Sequence, residues 1–561
     1  MHNPTPMATL DMHYLPKLKV LRTLGLFRRE LSLVAVFSSV ANLMMLAPTM
    51  YMLQIYDRVM ISRSEITLAA VSLIALVLLS SLVISEWIRT KIIVRIGLNI
   101  DLRLSDPLFR AVFSKQLRGG TGNPTQAFAD LATVRQWLSS QAVFAFFDAP
   151  WTLLYIATMF MLHPFLGWVT VAFVLNLALL ALISSRMIVN VKEEANEEER
   201  ELNTFVHSKL RNAEVIQAHG MVGNLKRRWL TRQREAIAYT EKANDTELKM
   251  NSLSREITLL KQSLALGAGA ILVIQGELTV GAMIAANLLM SRATAPLDMM
   301  VNSWRSFMMA WAAMRRVDAV LADCPTNPVR QVQLPRYRML ELRNVSAMAS
   351  GRSRPILENL NFNLSPGEIA AIVGPSGSGK STLGKVLLGV WPDTTGETLY
   401  GGQPLRNLDR EQLGSSFGYL PQDYELFDAS VADNIARLDI LDSEKMIAAA
   451  KLAGVHDIIQ RLPGGYNAII RNQNSFLSGG QRQLLALARA IYDSPSLLVL
   501  DEPNANLDEE GEKALAQALD TLRGRGTAIA VITHQTNLLE LADRVISLEN
   551  GVIVRQLNRG E

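Results

Sequence analysis

The stretch Gly-Pro-Ser-Gly-Ser-Gly-Lys-Ser at positions 374–381 decides the fold of the second half of this chain. It has the form G-x-x-x-x-G-K-S, a phosphate-binding loop in which glycines let backbone N–H groups face phosphate oxygens. The mainly apolar run 368–373 before it suits a buried strand, and the segment 381–388 can continue as a helix. This context predicts a nucleotide site in which Lys380 reaches the β- and γ-phosphates and Ser381 binds Mg²⁺. The residues predicted to line the loop are Gly374, Pro375, Ser376, Gly377, Ser378, Gly379, Lys380, Ser381 and Thr382.

A second apolar run, 496–500, ends in the carboxylates Asp501 and Glu502. A buried parallel strand at this point puts its C-terminal residue beside the phosphate loop. We therefore expect Asp501 to hold the Mg²⁺ shell and Glu502 to polarise an attacking water. His534 follows a third apolar run, 527–533, and taken alone it fits a structural role better than a catalytic one.

The sequence Leu-Ser-Gly-Gly-Gln at 477–481 begins another helix. A serine N-cap, two glycines and a following apolar helix predict a second anion-binding helix start, which ordinary phosphate-loop enzymes lack. Here the chain resembles the ATP-binding-cassette (ABC) family, whose signature sequence is LSGGQ. The resemblance covers residues 340–561, and the motifs occur in the family's order.

The resemblance implies roles for further residues. Gln422 matches the Q-loop glutamine that contacts nucleotide and metal, Asp508 closes the D-loop, and His534 matches the switch histidine, which with Glu502 would be catalytic. In this family two cassettes pair head to tail around two ATP molecules, so a dimer of this chain or a paired half-transporter is implied. The signature residues implied to contact the partner's ATP are Ser478, Gly479, Gly480 and Gln481.

The cassette departs from the family pattern at two places. Ala349 stands where many exporters carry an aromatic residue that stacks on adenine. Arg-Asn-Gln-Asn at 471–474 replaces the Gly-Glu-x-Gly that usually contacts the membrane-domain loops. We therefore expect weak or differently supplied base stacking, and a different coupling contact before the signature.

Composition bounds the function. Lys plus Arg is 56 and Asp plus Glu is 52 among 561 residues, so the net charge of +4 gives no indication of nucleic-acid binding. Hydrophobic residues make up 49% of the chain. The single cysteine, Cys324, excludes an internal disulfide and a CxxC metal site.

Long apolar runs before residue 300 predict six membrane-spanning helices, since about 20 residues cross a bilayer. Basic residues after the second and fourth runs place the N-terminus, the loops 89–140 and 186–256 and everything after the sixth run in the cytoplasm. We expect both loops to be helices that extend the spans, with breaks at 118–124 and 217–223. The predicted spans are 31–56, 66–85, about 141–162, 164–185, 257–276 and 278–296.

The sequence thus predicts an all-α, six-helix transmembrane ABC-exporter domain followed by an α/β phosphate-loop ATP-binding cassette. The predicted segments are a cytoplasmic N-terminal segment (1–30), the transmembrane domain (31–325), a linker (326–339) and the cassette (340–561).

Within the exporters, the membrane domain resembles the type I secretion ATPases of Gram-negative bacteria. That resemblance implies an inner-membrane homodimer, embedded in the lipid bilayer, that exports proteins with an uncleaved C-terminal signal. It also implies a periplasmic membrane-fusion adaptor and an outer-membrane channel as partners. A lipid or drug flippase of the same architecture is the alternative, and the apolar runs argue against a soluble ABC ATPase of DNA repair or translation. The stretches that carry the resemblance are 56–59, 147–151, 212–215, 220–221, 228–229, 276–285 and 292–296.

Two charges inside the predicted spans are candidates for the translocation path, because ionisable residues in a membrane are functional by default. Asp148 and Arg292 lie about 20 Å from the predicted periplasmic turns at 1.5 Å per residue. We expect them to pair or to line the exit path together. The alternative is that each lies at a helix end facing headgroups or water.

Overall fold

The structure is a computed structural model that describes residues 19–118, 124–210, 212–322, 335, 338–349, 354–471 and 477–559. The chain folds as two compact units. The first comprises residues 1–113 and 122–324, and the second comprises 325–561 with the short segment 114–121.

The first unit is helical throughout its described part. A π-helix at Ile55–Val59 and short 3₁₀ turns at Gly25–Phe27 and Ala149–Trp151 interrupt or join its α-helices. The α-helices are α1 (Lys19–Leu24), α2 (Arg28–Met44), α3 (Ala47–Gln54), α4 (Met60–Ser62), α5 (Glu65–Leu117), α6 (Gln126–Leu138), α7 (Ala142–Asp148), α8 (Thr152–Leu162), α9 (Pro164–Leu210), α10 (Ala213–Ala218), α11 (Val222–Ile274) and α12 (Val280–Ala322).

Helix α5 shows why the predicted loops are helical. It has 53 residues, and at 1.5 Å per residue it is about 80 Å long, far more than a bilayer requires. Beyond the apolar run, Ile93, Ile96, Ile100, Leu104 and Leu108 recur every three or four residues and are buried. This stripe packs into one core with residues of α2, α6 and α12. The expectation that the loops extend the spans as helices is therefore confirmed.

Within the part of the chain that the structure describes, length and apolar composition identify four helical segments able to cross a membrane: Arg22–Ser62, Glu65–Leu117, Ala142–Leu162 and Val222–Ile274. Pro164–Leu180 is a shorter apolar helix. The first two segments contain the first and second predicted spans, Ala142–Leu162 matches the third, and Val222–Ile274 and Pro164–Leu180 overlap the fifth and fourth without reaching their predicted ends. The sixth predicted span lies in α12, which contains Arg292 and is outside that set, so the count of six crossings stays a prediction.

The two expected loop breaks have different outcomes. Helix α10 ends at Ala218, and Gly220 has φ +62°, a left-handed conformation that ends the helix before α11 begins. The break predicted at 217–223 is therefore present. At the other break, α5 ends at Leu117, and residues 119–123 lie outside the described residues.

The second unit combines two sheets with short helices. One antiparallel sheet has the order β2-β1-β4-β5, and the other has the order β10-β9-β3-β8-β7-β6. The strands are β1 (Leu340–Ala347), β2 (Leu357–Leu364), β3 (Ile369–Val373), β4 (Thr394–Tyr400), β5 (Gln403–Pro404), β6 (Phe417–Leu420), β7 (Leu497–Asp501), β8 (Ala528–Ile532), β9 (Arg544–Glu549) and β10 (Val552–Asn558). The helices are α13 (Lys380–Leu387), α14 (Arg410–Ser416), α15 (Val431–Ile435), α16 (Ser443–Leu452), α17 (His456–Arg461), α18 (Gly479–Ile491), α19 (Glu509–Gly524) and α20 (Thr536–Leu541).

Five strands of the larger sheet run parallel, and only β10 is antiparallel. All five residues of β7 and of β8 are buried, as expected for strands covered on both faces. Parallel strands end at a common edge, where ligands bind in open α/β sheets. The phosphate loop, Gln422, Glu502 and His534 all follow strands at this edge.

Candidate functional site

The phosphate loop leaves β3 at Val373 and enters α13 at Lys380. Gly374 has φ +151°, and a Cβ there would lie 2.0 Å from the carbonyl oxygen of Leu548, so no side chain fits. Gly379 has φ +101° and lies directly before the helix. Pro375, Ser376 and Gly377 are exposed at the top of the loop, so the loop offers its backbone to solvent.

Two polar groups of this loop fit a phosphate ligand. The Lys380 ammonium donates hydrogen bonds to the carbonyl oxygens of Gly374 (2.7 Å) and Pro375 (2.9 Å), along the inner side of the loop. The Ser378 hydroxyl is buried and has no hydrogen-bond partner among the residues that the structure describes. A buried, unpaired hydroxyl in the same loop as a lysine ammonium is an arrangement that an anionic ligand would satisfy.

Asp501 and Ser381 bring oxygen ligands together. Asp501 ends β7 and is 3% exposed. Burial raises the pKa of the Asp501 carboxyl, and a hydrogen bond from the Ser381 hydroxyl opposes that rise. Although β8 separates β7 from β3 in the sheet, Asp501 reaches the first turn of α13, as predicted. Burial and then the Asp501 charge raise the pKa of Tyr419 to about 12, so the neighbouring phenol stays neutral.

Glu502 has a strained backbone at the same edge. Its φ is +49°, a left-handed conformation that is rare outside glycine, asparagine and aspartate. Its N–H donates to the carbonyl of Ile532 at 2.9 Å. The Gln422 amide donates to the Glu502 carboxylate at 3.0 Å. The structure thus joins the residues that follow β6 and β7 to each other and to the last residue of β8.

The signature stretch forms the expected capped helix start. The Ser478 hydroxyl accepts from the Gln481 N–H at 3.3 Å, and the Gln481 side chain accepts from the Ser478 N–H at 3.0 Å. This capping box confirms the predicted serine N-cap of α18. Gly479 and Gly480 occupy the first turn, where a Cβ on Gly480 would lie 2.7 Å from the carbonyl oxygen of Asn506.

Neither Asp508 nor His534 takes part in the phosphate-loop hydrogen bonds described above. Asp508 caps α19 by accepting from the Gly511 N–H at 2.9 Å. His534 is exposed after β8, and within the described residues no hydrogen bond joins its ring to Glu502. Thr382 follows Ser381 in α13. Ala349 is described directly after β1, whereas residues 472–474 of the unusual segment lie outside the described residues.

In the first unit, the predicted pairing of Asp148 with Arg292 is wrong, because the partner of Asp148 is Arg89. One Arg89 nitrogen lies 3.0 and 3.1 Å from the two carboxylate oxygens, and Asn42 donates to the same group at 2.7 Å. Arg89 was assigned to the cytoplasmic flank, yet α5 continues past its apolar run and buries this residue, leaving it 7% exposed. Arg292 is exposed, and among the described residues it donates a hydrogen bond to the Met45 sulfur at 3.8 Å.

A second buried ion pair was also missed. The Lys261 side chain is 5% exposed, donates to the Thr294 hydroxyl at 2.5 Å and lies 3.7 Å from a carboxylate oxygen of Asp298. In the sequence, Lys261 is a charge inside the fifth predicted span, 257–276. Lys261 and Asp298 lie on two different helices, so no local sequence pattern indicates that they pair.

Two stretches that resemble secretion ATPases meet in the structure. Asp57, in the π-helix, accepts from the Thr279 hydroxyl at 2.6 Å and from the Gly281 N–H at 3.0 Å. The carboxylate therefore caps the start of α12, where free N–H groups attract negative charge. A Cβ on Gly281 would lie 2.5 Å from the Asp57 carboxylate, so the close approach requires glycine.

A helical membrane unit joined to an α/β phosphate-loop unit with a signature helix defines an ABC exporter. Comparison with known proteins gives the same class. The model of the ABC transporter transmembrane region matches residues 31–297, and the ABC transporter model matches 357–505.

Among curated proteins, the chain is 38% identical over 523 residues to the type I secretion system ATP-binding protein PrsD of Rhizobium meliloti (strain 1021). That match covers 92% of this chain and 89% of PrsD. The leukotoxin translocation ATP-binding protein LktB of Mannheimia haemolytica is 29% identical, with 90% and 72% covered. The alpha-hemolysin translocation ATP-binding protein HlyB of Escherichia coli is 28% identical, with 94% and 76% covered.

Among solved structures, a bacterial Atm1-family ABC exporter with ATP bound superposes with a TM-score of 0.81 at 22% identity. The superposition covers 95% of this chain and 96% of the exporter chain, and it confirms the predicted fold. The chain belongs to the ABC transporter family. It is a membrane protein with an ATP-binding cassette and an ATPase coupled to transmembrane transport.

Proposed function

We propose that this chain is the ABC component of a type I secretion system, which uses ATP to export a protein across the inner membrane of a Gram-negative bacterium. The observation that carries the proposal is the relationship to PrsD, which extends over both units and covers 92% of the chain. A lipid exporter would share the cassette, but the membrane-domain stretches 56–59 and 276–285 are those that resemble secretion ATPases.

In the proposed cycle, ATP lies on the loop from Gly374 to Ser381, and Lys380 leaves the loop carbonyls to bind the phosphates. Ser381, Asp501 and Gln422 would hold Mg²⁺, which neutralises charge on the phosphates and orients them when bound. Within the described residues no cluster of three or more His, Cys, Asp or Glu side chains could hold a metal ion alone. This is consistent with Mg²⁺, which takes one or two carboxylates and completes its shell with phosphate and water oxygens.

Glu502 is the proposed general base. Its carboxylate is held by Gln422 at 3.0 Å and lies one residue beyond Asp501, so it would meet the water that attacks the γ-phosphate. His534, exposed at the same sheet edge, would contact that phosphate once ATP is bound. Glu502 accepts the proton of the attacking water as the new oxygen–phosphorus bond forms, and ADP leaves with the electron pair of the broken bond.

We propose that two copies of the chain bind two ATP molecules between them. Ser478, Gly479, Gly480 and Gln481 of one copy, with Asp508, would face the ATP held by the other copy's phosphate loop. Such contacts exist only in the closed dimer, so ATP would favour that state and hydrolysis would release it. The free N–H groups at the start of α18 are suited to a phosphate.

The proposed orientation puts the N-terminus and the cassette in the cytoplasm, on the basis of the basic residues near the apolar helices. The partners would be a periplasmic adaptor, an outer-membrane channel and a secreted protein with a C-terminal signal. Arg292 is the stronger of the two path candidates, because it is exposed without a carboxylate partner among the described residues, whereas Asp148 is neutralised by Arg89.

A pull-down from native membranes tests this function. Tagged Glu502→Gln, which should bind ATP without turning it over, is isolated with ATP, and the same variant without ATP is the control. An adaptor and an exported protein that are enriched only with ATP support protein secretion and identify the substrate. Recovery of the chain with lipid alone in both samples would refute it and favour a lipid exporter.

A further inference from the structure

Gln483 is a buried polar residue in the apolar face of α18. It is 2% exposed and lies two residues after the signature stretch. Its neighbours Leu484 and Leu485 belong to the hydrophobic core. Buried side-chain amides are kept in such cores only when their hydrogen bonds are made.

The Gln483 amide bonds to both ends of one short segment. Its nitrogen donates to the carbonyl oxygen of Glu502 at 3.3 Å, and its oxygen accepts from the N–H of Asn506 at 3.1 Å. A single side chain therefore spans residues 502–506, which connect the carboxylate at the end of β7 to the D-loop.

Glu502 needs such support because its backbone is in a left-handed conformation with φ +49°. The Ile532 carbonyl holds its N–H at 2.9 Å, and Gln483 holds its C=O. Strained backbone at a functional site persists only where its surroundings determine it. The direction of the Glu502 side chain follows from this fixed backbone.

The other end of the segment connects to the signature. The Asn506 amide donates to the Tyr424 hydroxyl at 3.2 Å, and that hydroxyl donates to the Gly479 carbonyl at 2.9 Å. Tyr424 lies two residues after Gln422, the residue that contacts the Glu502 carboxylate. Together with the chain segment from Gln422 to Tyr424, these bonds close a ring from Glu502 through Gln483, Asn506, Tyr424 and Gln422 back to Glu502.

We infer that Gln483 is a positioning residue for hydrolysis. It fixes the backbone of Glu502 and holds it in one position relative to the signature helix and the D-loop. The inference rests on the proposed role of Glu502 as general base. Gln483 acts through the backbone of Glu502 and Asn506, to which its amide is bonded. Its loss should affect the chemical step far more than nucleotide binding, because among the described residues its side-chain hydrogen bonds go to Glu502 and Asn506 and none goes to the phosphate loop.

The test compares two isosteric variants of the full chain in lipid nanodiscs. Gln483→Met keeps the volume and removes both hydrogen bonds. Gln483→Glu keeps an acceptor for Asn506 but has no donor for the Glu502 carbonyl when ionised. Steady-state hydrolysis gives kcat and KM for ATP per folded protein, and a melting curve checks folding.

Both variants should lose about 100-fold in kcat, since a displacement of about 1 Å can cost that much, with KM within about threefold of the parent value. Gln517→Met is the matched control, because Gln517 is an exposed glutamine of α19 and should tolerate the same change. A purely structural role would instead lower the folded fraction and raise KM. If Gln483→Met does not fold, Gln483→Glu decides the matter.

A folded variant of either kind with kcat within about twofold of the parent value would overturn the inference. Glu502→Gln, measured alongside, separates this failure from that of the proposed function. If Glu502→Gln keeps its turnover, the assignment of the base is wrong, whatever Gln483 does. If Glu502→Gln is inactive while the Gln483 variants are not, only the positioning role is wrong.

Discussion

The buried pair of Arg89 and Asp148 gives the sharpest prediction for the membrane unit. The change is Asp148→Leu, which removes the carboxylate and keeps an apolar side chain of similar size. Arg89 is then a buried cation whose Nε atom already has no hydrogen-bond partner. Among the described residues its guanidinium keeps the Ser38 hydroxyl at 3.3 Å, the Phe144 ring at 4.5 Å and the half-exposed Glu86 at 3.6 Å.

The magnitude follows from this geometry. Removing one partner of a buried ion pair destabilises a protein by about 3–5 kcal/mol. Because Ser38 and Glu86 remain, we expect the lower end of this range, about 3 kcal/mol, for Asp148→Leu. The double variant Arg89→Met/Asp148→Leu leaves no buried charge and should be within about 1 kcal/mol of the parent chain.

The assay is the free energy of unfolding of the purified chain in detergent, measured through a double-mutant cycle. Arg110 and Asp106 give the matched control, because they form a 3.3 Å pair on the same helix with side chains 67% and 71% exposed. Their cycle should give at most about 0.5 kcal/mol. If Asp148→Leu loses no more than this control does, or if the double variant is less stable than both single variants, the buried pair is not what the geometry indicates.

Three further predictions concern single sites. Gly281→Val should displace Asp57 from the start of α12 and lower the free energy of unfolding by about 1–3 kcal/mol in the same assay. Gly267→Val is the control, because a Cβ at position 267 meets open space, and it should change this free energy by less than about 1 kcal/mol. Gly374→Ala should abolish ATP binding in a filter assay, because its Cβ would lie 2.0 Å from a backbone carbonyl oxygen; retained affinity would contradict the loop geometry. Glu502→Gln should bind ATP normally and hydrolyse it at least about 100-fold more slowly in a phosphate-release assay, and near-normal turnover would show that another residue is the base.

The nucleotide site could be predicted from sequence because its geometry is local. A glycine-rich loop between a strand and a helix fixes its own backbone, and the capping box of Ser478 and Gln481 needs only four consecutive residues. The contact of Asp501 with Ser381 required one further rule, that parallel strands end at one sheet edge. Both predictions hold in the structure.

Gln483 was missed although it had a local signal. It interrupts the otherwise apolar face of α18, and a lone polar residue in a buried stripe indicates an internal hydrogen bond. The sequence does not identify the hydrogen-bond partners of Gln483. Glu502 and Asn506 follow strand β7, and only the fold brings them to Gln483 on α18. A motif predicts which residues are needed, but the fold decides what holds them.

The partner of Asp148 could not be predicted because depth in a membrane does not determine helix rotation. Asp148 and Arg292 were matched by their distance from the turns, a measure along the helix axis only. Whether two side chains meet depends on the face that each helix turns to its neighbour, which is set by packing. Arg89 lies beyond the apolar run of its helix, yet α5 and α7 bring it to Asp148.

The contact between Asp57 and Gly281 could not be predicted from the sequence either. Both residues lie in stretches that resemble secretion ATPases, but neither stretch predicts the other. Glycine is required at 281 only because a carboxylate from another helix comes within 2.5 Å of the place where a Cβ would be. The π-helix at Ile55–Val59 contains Asp57, and such local bulges often occur at functional sites. Because the carboxylate accepts from the Gly281 N–H and the Thr279 hydroxyl at the start of α12, a displacement of the Ile55–Val59 turn would release the start of that helix, so these two elements should move together during transport.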